Sequence, residues 1–204
     1  GHTTAEMAGQ IMEAIDADLY ALQEISDTTL MKQVIKNLDG YQGYFKSEWY
    51  GGLAYVYKKD VVELDAAYEI YTEEAYWRPF PRSPSVLEIK FGNKKMVIIN
   101  NHLKCCGNEY LDQGDPWDEE TRRRDACVLI DDFIGDRFRN SNVIVLGDLN
   151  DVLTDPAAHN VFNVFLDSPG DYVFADMDIA NGPASGWSYP SWPSHIDHIL
   201  VTNE

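Results

Sequence analysis

Asp148 and Asn150 stand two residues apart, directly after an apolar run, Val143-Ile144-Val145-Leu146, that Gly147 ends. A carboxylate orients a water molecule or holds a hard cation, and a carboxamide donates to a phosphoryl oxygen. Extended backbone sends residues i and i+2 to one face, so the two side chains are expected to project together from a strand end. The same pair also suits a turn in which Asp and Asn bond their own backbone. Glu24 follows Leu19-Tyr20-Ala21-Leu22, His102 closes the stretch that begins at Met96, and Asp197 opens onto His198-Ile199-Leu200-Val201. Taken singly, each has an ordinary structural reading: a surface glutamate, a satisfied histidine, a turn cap. Taken together they are metal-competent and proton-competent groups at the ends of strands, where clefts form in layered folds.

The elements that must carry these groups are legible from periodicity. Thr3 and Glu6 have capping-box spacing, and Met7, Ile11 and Ile15 recur at helical intervals up to about Asp16. A strand over 19–22 delivers Gln23-Glu24. Leu30, Val34 and Leu38 predict a second helix after Ser26-Asp27, closed by Gly40. From Tyr41 the period changes to two: Gly51–Lys59 and Val61–Leu64 read as strands joined by a Lys-Asp turn. Residues 77–84 are loop because prolines interrupt them. Val86–Phe91 and Met96–Asn101 form a predicted hairpin around Gly92-Asn93. A polar loop over 105–120 precedes a helix marked by Ala126, Leu129, Ile130, Phe133 and Ile134. The strand ending at Asp148, a loop-rich segment containing Val161–Leu166, and a last strand over 196–201 complete the chain. Strands and helices mix, with hairpins and crossovers, which predicts an α+β fold of two packed mixed β-sheets flanked by helices, in one domain over 1–204.

Composition limits the partners. At 204 residues, 45% hydrophobic and 25% charged, the chain can bury roughly 70% of its unfolded surface. No apolar run reaches the ~18 residues a membrane helix needs. The formal net charge of −18 repels a polyanion at long range and argues against a broad electrostatic grip on nucleic acid. It does not argue against a cleft in which a metal and a few cations are concentrated. Of the three cysteines, Cys105 and Cys106 are adjacent, and a bridge from one of them to Cys127 is less strained than a vicinal one. The Cys-Cys-Gly cluster is more natural in a secreted or periplasmic setting than in the cytoplasm.

The order of these motifs resembles the endonuclease/exonuclease/phosphatase superfamily of metal-dependent phosphoesterases. The residues that carry the resemblance are Leu22-Gln23-Glu24, Arg82-Ser83-Pro84, Asn101-His102-Leu103, Gly147-Asp148-Leu149-Asn150 and Ser194-His195-Ile196-Asp197-His198-Ile199-Leu200, spread over almost the whole chain. The resemblance implies a four-layer α/β sandwich and Mg²⁺- or Mn²⁺-dependent hydrolysis of a phosphodiester or phosphomonoester. It implies Glu24 as the metal ligand and Asp148 as the residue that orients or deprotonates the attacking water. Asn150 would hold a phosphoryl oxygen, His102 would donate to the phosphate, and Arg82 would help position it. Asp197 would be the carboxylate that orients a catalytic histidine. Implied substrates are a nucleic acid, a phospholipid head group or an inositol phosphate.

Two features depart from the family pattern. The opening strand with its metal-site Asn and the closing Asp-His strand have no counterpart in the 204 residues, and His195 and His198 do not occupy the closing histidine's position. The expected explanation is that the sequence belongs to a longer polypeptide; a partner that completes the sheets, or a trimmed fold, would also account for it. The alternative function is a catalytically weak or inactive binding module on the same scaffold. Trp187, Tyr189 and Trp192 would either stack on a ligand or cover the core.

Overall fold

The computed structural model describes residues 4–45, 52–189 and 192–203. Its elements are α1 (Thr4–Ile15), β1 (Leu19–Ile25), α2 (Thr28–Ile35), β2 (Tyr41–Tyr44), β3 (Gly52–Lys58), β4 (Val62–Glu69), β5 (Ser85–Phe91), β6 (Lys94–His102), α3 (Glu119–Arg137), β7 (Asn142–Asp148), α4 (Asn163–Leu166), β8 (Tyr172–Phe174), α5 (Met177–Ala180) and β9 (Asp197–Thr202). One sheet runs β1-β3-β2 and the other β4-β5-β6-β7-β9-β8. Mixing of strand direction is confined to the larger sheet, where β6 and β7 are parallel and α3 makes the crossover between them.

Alternation along the strands builds three separate cores, and these define the layers. Tyr20 and Leu22 of β1 and Val56 of β3 meet Met12 of α1 and Met31 and Ile35 of α2. The opposite face of the same strands, with Leu19, Ala21, Tyr55 and Tyr57, packs on Leu87, Ile89, Ile98, Ile144 and Leu146 of the larger sheet. Val97, Ile99, Val143 and Val145 then face Ala126, Ile130 and Ile134 of α3 and the phenylalanines Phe162, Phe165 and Phe174. Helix, sheet, sheet, helix is the four-layer sandwich.

Two local expectations come out differently, the face of α1 and the length of β4. The Met7, Ile11 and Ile15 stripe is 52%, 55% and 63% exposed, and α1 is held instead through Met12. Gly9 explains the orientation: a Cβ there would lie 2.6 Å from Val34 Cγ1, so α1 approaches α2 along its glycine face. The turn after β3 does not close a hairpin. It carries the chain from one sheet to the other, and β4 then continues to Glu69 because it pairs with β5 along its whole length. Thr3 and Gly51 lie outside the described residues. Asp27 caps α2 by accepting from the Leu30 N–H at 2.9 Å, as its spacing predicts.

Candidate active site

Neighbouring strands bring three of the expected residues into one row. His102 at the end of β6 is registered opposite Asp148 at the end of β7, and Asp148 opposite Asp197 at the start of β9. Their side chains need no loop to converge, because in-register residues on adjacent strands share a face. His102 Nε2 lies 3.5 Å from Asp148 Oδ2, and the ring is buried with no hydrogen-bond partner on Nδ1.

Gly147 makes this row achievable. It has φ +128, and a Cβ there would sit 2.1 Å from the Asn101 carbonyl oxygen on β6. Gly147→Ala is therefore expected to destabilise the protein by at least about 3 kcal/mol through left-handed backbone strain and a backbone clash. The urea midpoint measures it; a shift within error would show that β6 and β7 do not pack as described.

Glu24 comes from the other sheet. The β1–β3 pairing shifts register between Leu22 and Ile25, and Glu24 has φ +60. The irregularity re-aims its side chain at the strand end, as bulges do. Behind it the sheets are tied by polar bonds: Gln23 Nε2 donates to Asn100 Oδ1 at 2.7 Å, and Asn100 Nδ2 donates to the Leu22 carbonyl at 3.1 Å. The Tyr55 hydroxyl accepts from the Asn100 N–H at 3.0 Å and donates to the Ser85 carbonyl at 2.6 Å. Sequence reading missed Asn100, two residues before His102, because its value lies in a partner 77 positions away.

Asn150 reaches the site differently from the extended-strand expectation. It lies beyond the end of β7 with φ +57, and its N–H donates to Asp148 Oδ1 at 3.1 Å. The turn reading is thus correct for the backbone, and the turn presents the two side chains. Asn150 Nδ2 donates to the Leu103 carbonyl at 3.1 Å, which leaves its second amide hydrogen available.

Charge ties the group together. Burial pushes Asp148 up to about 6, with the charges of Asp197 and Glu24 raising it further and the Asn150 N–H and Arg82 opposing. Burial, and then the Arg82 guanidinium, hold the His102 imidazole below its ordinary range against the raising effect of Glu24 and Asp197. The 3.5 Å contact is accordingly between a neutral ring and a carboxylate. Arg82 Nε is buried without a hydrogen-bond partner. Glu24, Arg82, His102, Asp148 and Asp197 all act on one locus.

The sequence profile of the Endonuclease/Exonuclease/phosphatase family matches residues 6–204. The chain belongs to that family. Family members are phosphoesterases, so the protein carries the architecture of a phosphoester-hydrolysing enzyme. Solved structures share its fold at low identity. TDP2 of D. rerio, determined with a single-strand DNA product, aligns with TM-score 0.69 at 15% identity over 98% of this chain and 76% of that one. The human Nocturnin catalytic domain, with bound sulfate, gives 0.65 at 20% over 97% and 74%. A mannosyl-6-phosphatase of Bacteroides thetaiotaomicron gives 0.67 at 16% over 98% and 76%. No curated protein matches the chain by sequence.

Endonuclease/exonuclease/phosphatase enzymes generally depend on a divalent metal, and the residues here fit one. Burial, and then the negative charges of Asp197 and Glu24, raise Asp148, and Arg82 is the one cation that opposes them in that shift. Mg²⁺ keeps most of its waters and is held by one or two carboxylates, so a compact ligand cage is not required. Among the described residues the tight triplets lie elsewhere, at Asp118-Glu119-Glu120 and Asp176-His195-His198. In the second of these the closeness is explained by hydrogen bonds: Asp176 Oδ2 accepts from His195 Nε2 at 2.8 Å and from His198 Nδ1 at 2.7 Å. Sequence reading also missed Asp176, which no motif marks. It anchors β9 by accepting from the Ile199 N–H at 2.9 Å, and thereby sets Asp197. His195 engages Asp176 and, with Asp197, lines a cavity of 430 Å³ beside β1.

Asn150 borders a second cavity, of 350 Å³, walled by Cys105, Cys106, Glu109, Asp155, Tyr189 and Trp192 among others. Tyr189 and Trp192 are 48% and 74% exposed, whereas the Trp187 indole N–H is bonded to the Ile179 carbonyl at 3.1 Å. The two exposed rings therefore face the pocket, and Trp187 secures the loop. The Cys127 bridge does not form: Cys127, on the core-facing side of α3, is buried, and Cys105 and Cys106 are exposed.

Proposed function

We propose that this protein hydrolyses a phosphate ester with Mg²⁺ or Mn²⁺, by in-line attack of a water held at Asp148. The observation that carries the reading is the registered row His102-Asp148-Asp197, with Glu24 brought to it from the facing sheet. With a carboxylate pKa of about 6, Asp148 is ionised at neutral pH and basic enough to accept a proton from the water. The second Nδ2 hydrogen of Asn150 and the neutral imidazole of His102 donate to phosphoryl oxygens as charge builds, and Arg82 opposes that charge. Glu24 would hold the divalent ion, which supplies further neutralisation of the phosphate. Asp197 orients the groups around Asp148 through its charge.

The net charge of −18 and the small aromatic-walled cavity beside Asn150 support a compact phosphate ester, a head group or sugar phosphate, over a long duplex. The Cys105-Cys106-Gly107 cluster in the sequence supports an exported, oxidising setting. The test is a hydrolysis panel with Mg²⁺ over DNA, RNA, sphingomyelin, inositol phosphates and simple diesters, with Asp148→Asn as control. Turnover of at least one substrate, lost in the control, is expected. Equal rates for both proteins on every substrate would leave a binding scaffold instead.

A metal-dependence prediction follows from Glu24. EDTA is expected to abolish turnover, and Mg²⁺ or Mn²⁺ to restore it. Glu24→Gln should raise the Mg²⁺ concentration for half-maximal rate by at least about 10-fold, since losing even a residue that only supports a metal ligand costs about 10- to 100-fold. A Mg²⁺ titration of rate decides it; an unchanged midpoint would remove Glu24 from the metal site.

A further inference from the structure

Cys105 and Cys106 are exposed, yet their sulfurs are not independent. Cys106 Sγ donates to Cys105 Sγ at 3.0 Å, and Lys104 Nζ donates to the same Cys105 sulfur at 3.9 Å. The hydrogen bond to Cys105, and then its charge, raise the Cys106 thiol. The backbone that carries the pair is clamped from below. Arg123, only 2% exposed, donates through Nη1 to the Lys104 carbonyl at 2.8 Å and to the Cys106 carbonyl at 2.7 Å, while its Nε donates to Asp151 Oδ2 at 2.8 Å. Glu120 Oε1 accepts from the Asn108 and Glu109 N–H groups at 2.8 and 2.7 Å. Cys106 itself has φ +71. Buried groups therefore hold two adjacent thiols face to face on the wall of the cavity that Asn150 borders. Cys127 is buried and takes no part.

We infer that Cys105 and Cys106 are a redox modification site, closing to a vicinal disulfide that reshapes the wall of the substrate pocket. The oxidant is a low-molecular-weight disulfide such as oxidised glutathione. The Cys105 sulfur, which receives both hydrogen bonds, attacks one sulfur of that disulfide as a thiolate and releases one small thiol. Cys106 then attacks the Cys105 sulfur of the mixed disulfide, the protein S–S bond forms and the second small thiol leaves. The two cysteine protons end on the two departing thiols, and two electrons pass from the pair to the oxidant. Adjacent Cα atoms lie about 3.8 Å apart, shorter than the usual 4.4–6.8 Å of a disulfide, so the closed ring is strained and readily reopened.

The test takes the full chain in glutathione redox buffers, followed by non-reducing digestion and mass spectrometry. The peptide containing both cysteines is expected to lose two hydrogens without retaining glutathione, reversibly with dithiothreitol. Cys106→Ser should instead trap a glutathione adduct on Cys105. A stable adduct on the wild type, a bridge to Cys127, or a disulfide-linked dimer would overturn the site. This readout is independent of hydrolysis. For a substrate that the panel identifies, oxidation should change KM at least about threefold in the wild type and not in the Cys105→Ser/Cys106→Ser double variant, which forms neither the disulfide nor an adduct at the wall. A disulfide that forms without changing KM would overturn its link to the pocket.

Discussion

Asp148→Asn is expected to lower kcat by at least about a thousandfold, the combined scale of losing a proton acceptor and a charge that helps hold the metal. The fold should survive, because asparagine keeps the Oδ1 that accepts from the Asn150 N–H. It should in fact gain stability. A carboxyl raised from 3.8 to about 6 binds its proton more tightly in the native protein than in the unfolded chain. The native state therefore loses stability as pH rises through that window, and the loss persists above pH 6. Asparagine never ionises and escapes it. In EDTA at pH 7.5 the variant should be more stable by on the order of 1 kcal/mol, a gap that closes as pH falls towards 4. Thermal melts at both pH values, beside single-turnover rates, test the two halves separately. A variant that is inactive and less stable at neutral pH would contradict the burial of the Asp148 carboxylate beside Asp197 and Glu24.

His102→Gln should reduce kcat by about a hundredfold while leaving the Mg²⁺ midpoint nearly unchanged, since in the proposed mechanism the imidazole serves the developing phosphate charge and not the metal. The pH dependence gives an independent check. With its folded pKa below the ordinary 6.5, His102 binds a proton less tightly in the native state. It therefore withdraws stability as pH falls through 6.5, and glutamine does not. Urea midpoints at pH 7.5 and 5.5 should fall less on acidification for the variant than for the wild type. A parallel fall in both would mean that the ring is not desolvated at the row.

Much of this site is local chemistry and was therefore legible without coordinates. Gly147 after four apolar residues marks a strand end, and Asp148 and Asn150 must follow it closely. The hairpin around Gly92-Asn93 and the Asp27 cap rest on contacts a few residues apart, and these form where spacing predicts, whereas α3 begins at Glu119, inside the stretch that spacing assigns to loop. The α1 stripe failed because an apolar period says that some face will be buried, not which one. Gly9 against Val34 outweighed three larger side chains by letting the helix backbones approach. The aromatic loop was ambiguous for a related reason: burial depends on what lies opposite, and that is set by distant segments.

What the sequence by itself determined is the set of candidate site residues, their order along the chain, the strand ends that present most of them, and the surplus of negative charge. Only the tertiary structure decided that β3 and β4 join different sheets, that a register shift turns Glu24 toward the row, that Asp176 ties His195 and His198 beneath β9, and that Cys105 faces Cys106 and not Cys127. The physical reason is the range of the forces involved. Backbone propensity and alternation act over a few residues, whereas register, burial and charge coupling arise between distant segments, as between Gln23 and Asn100, 77 positions apart, and exist only once the layers have packed.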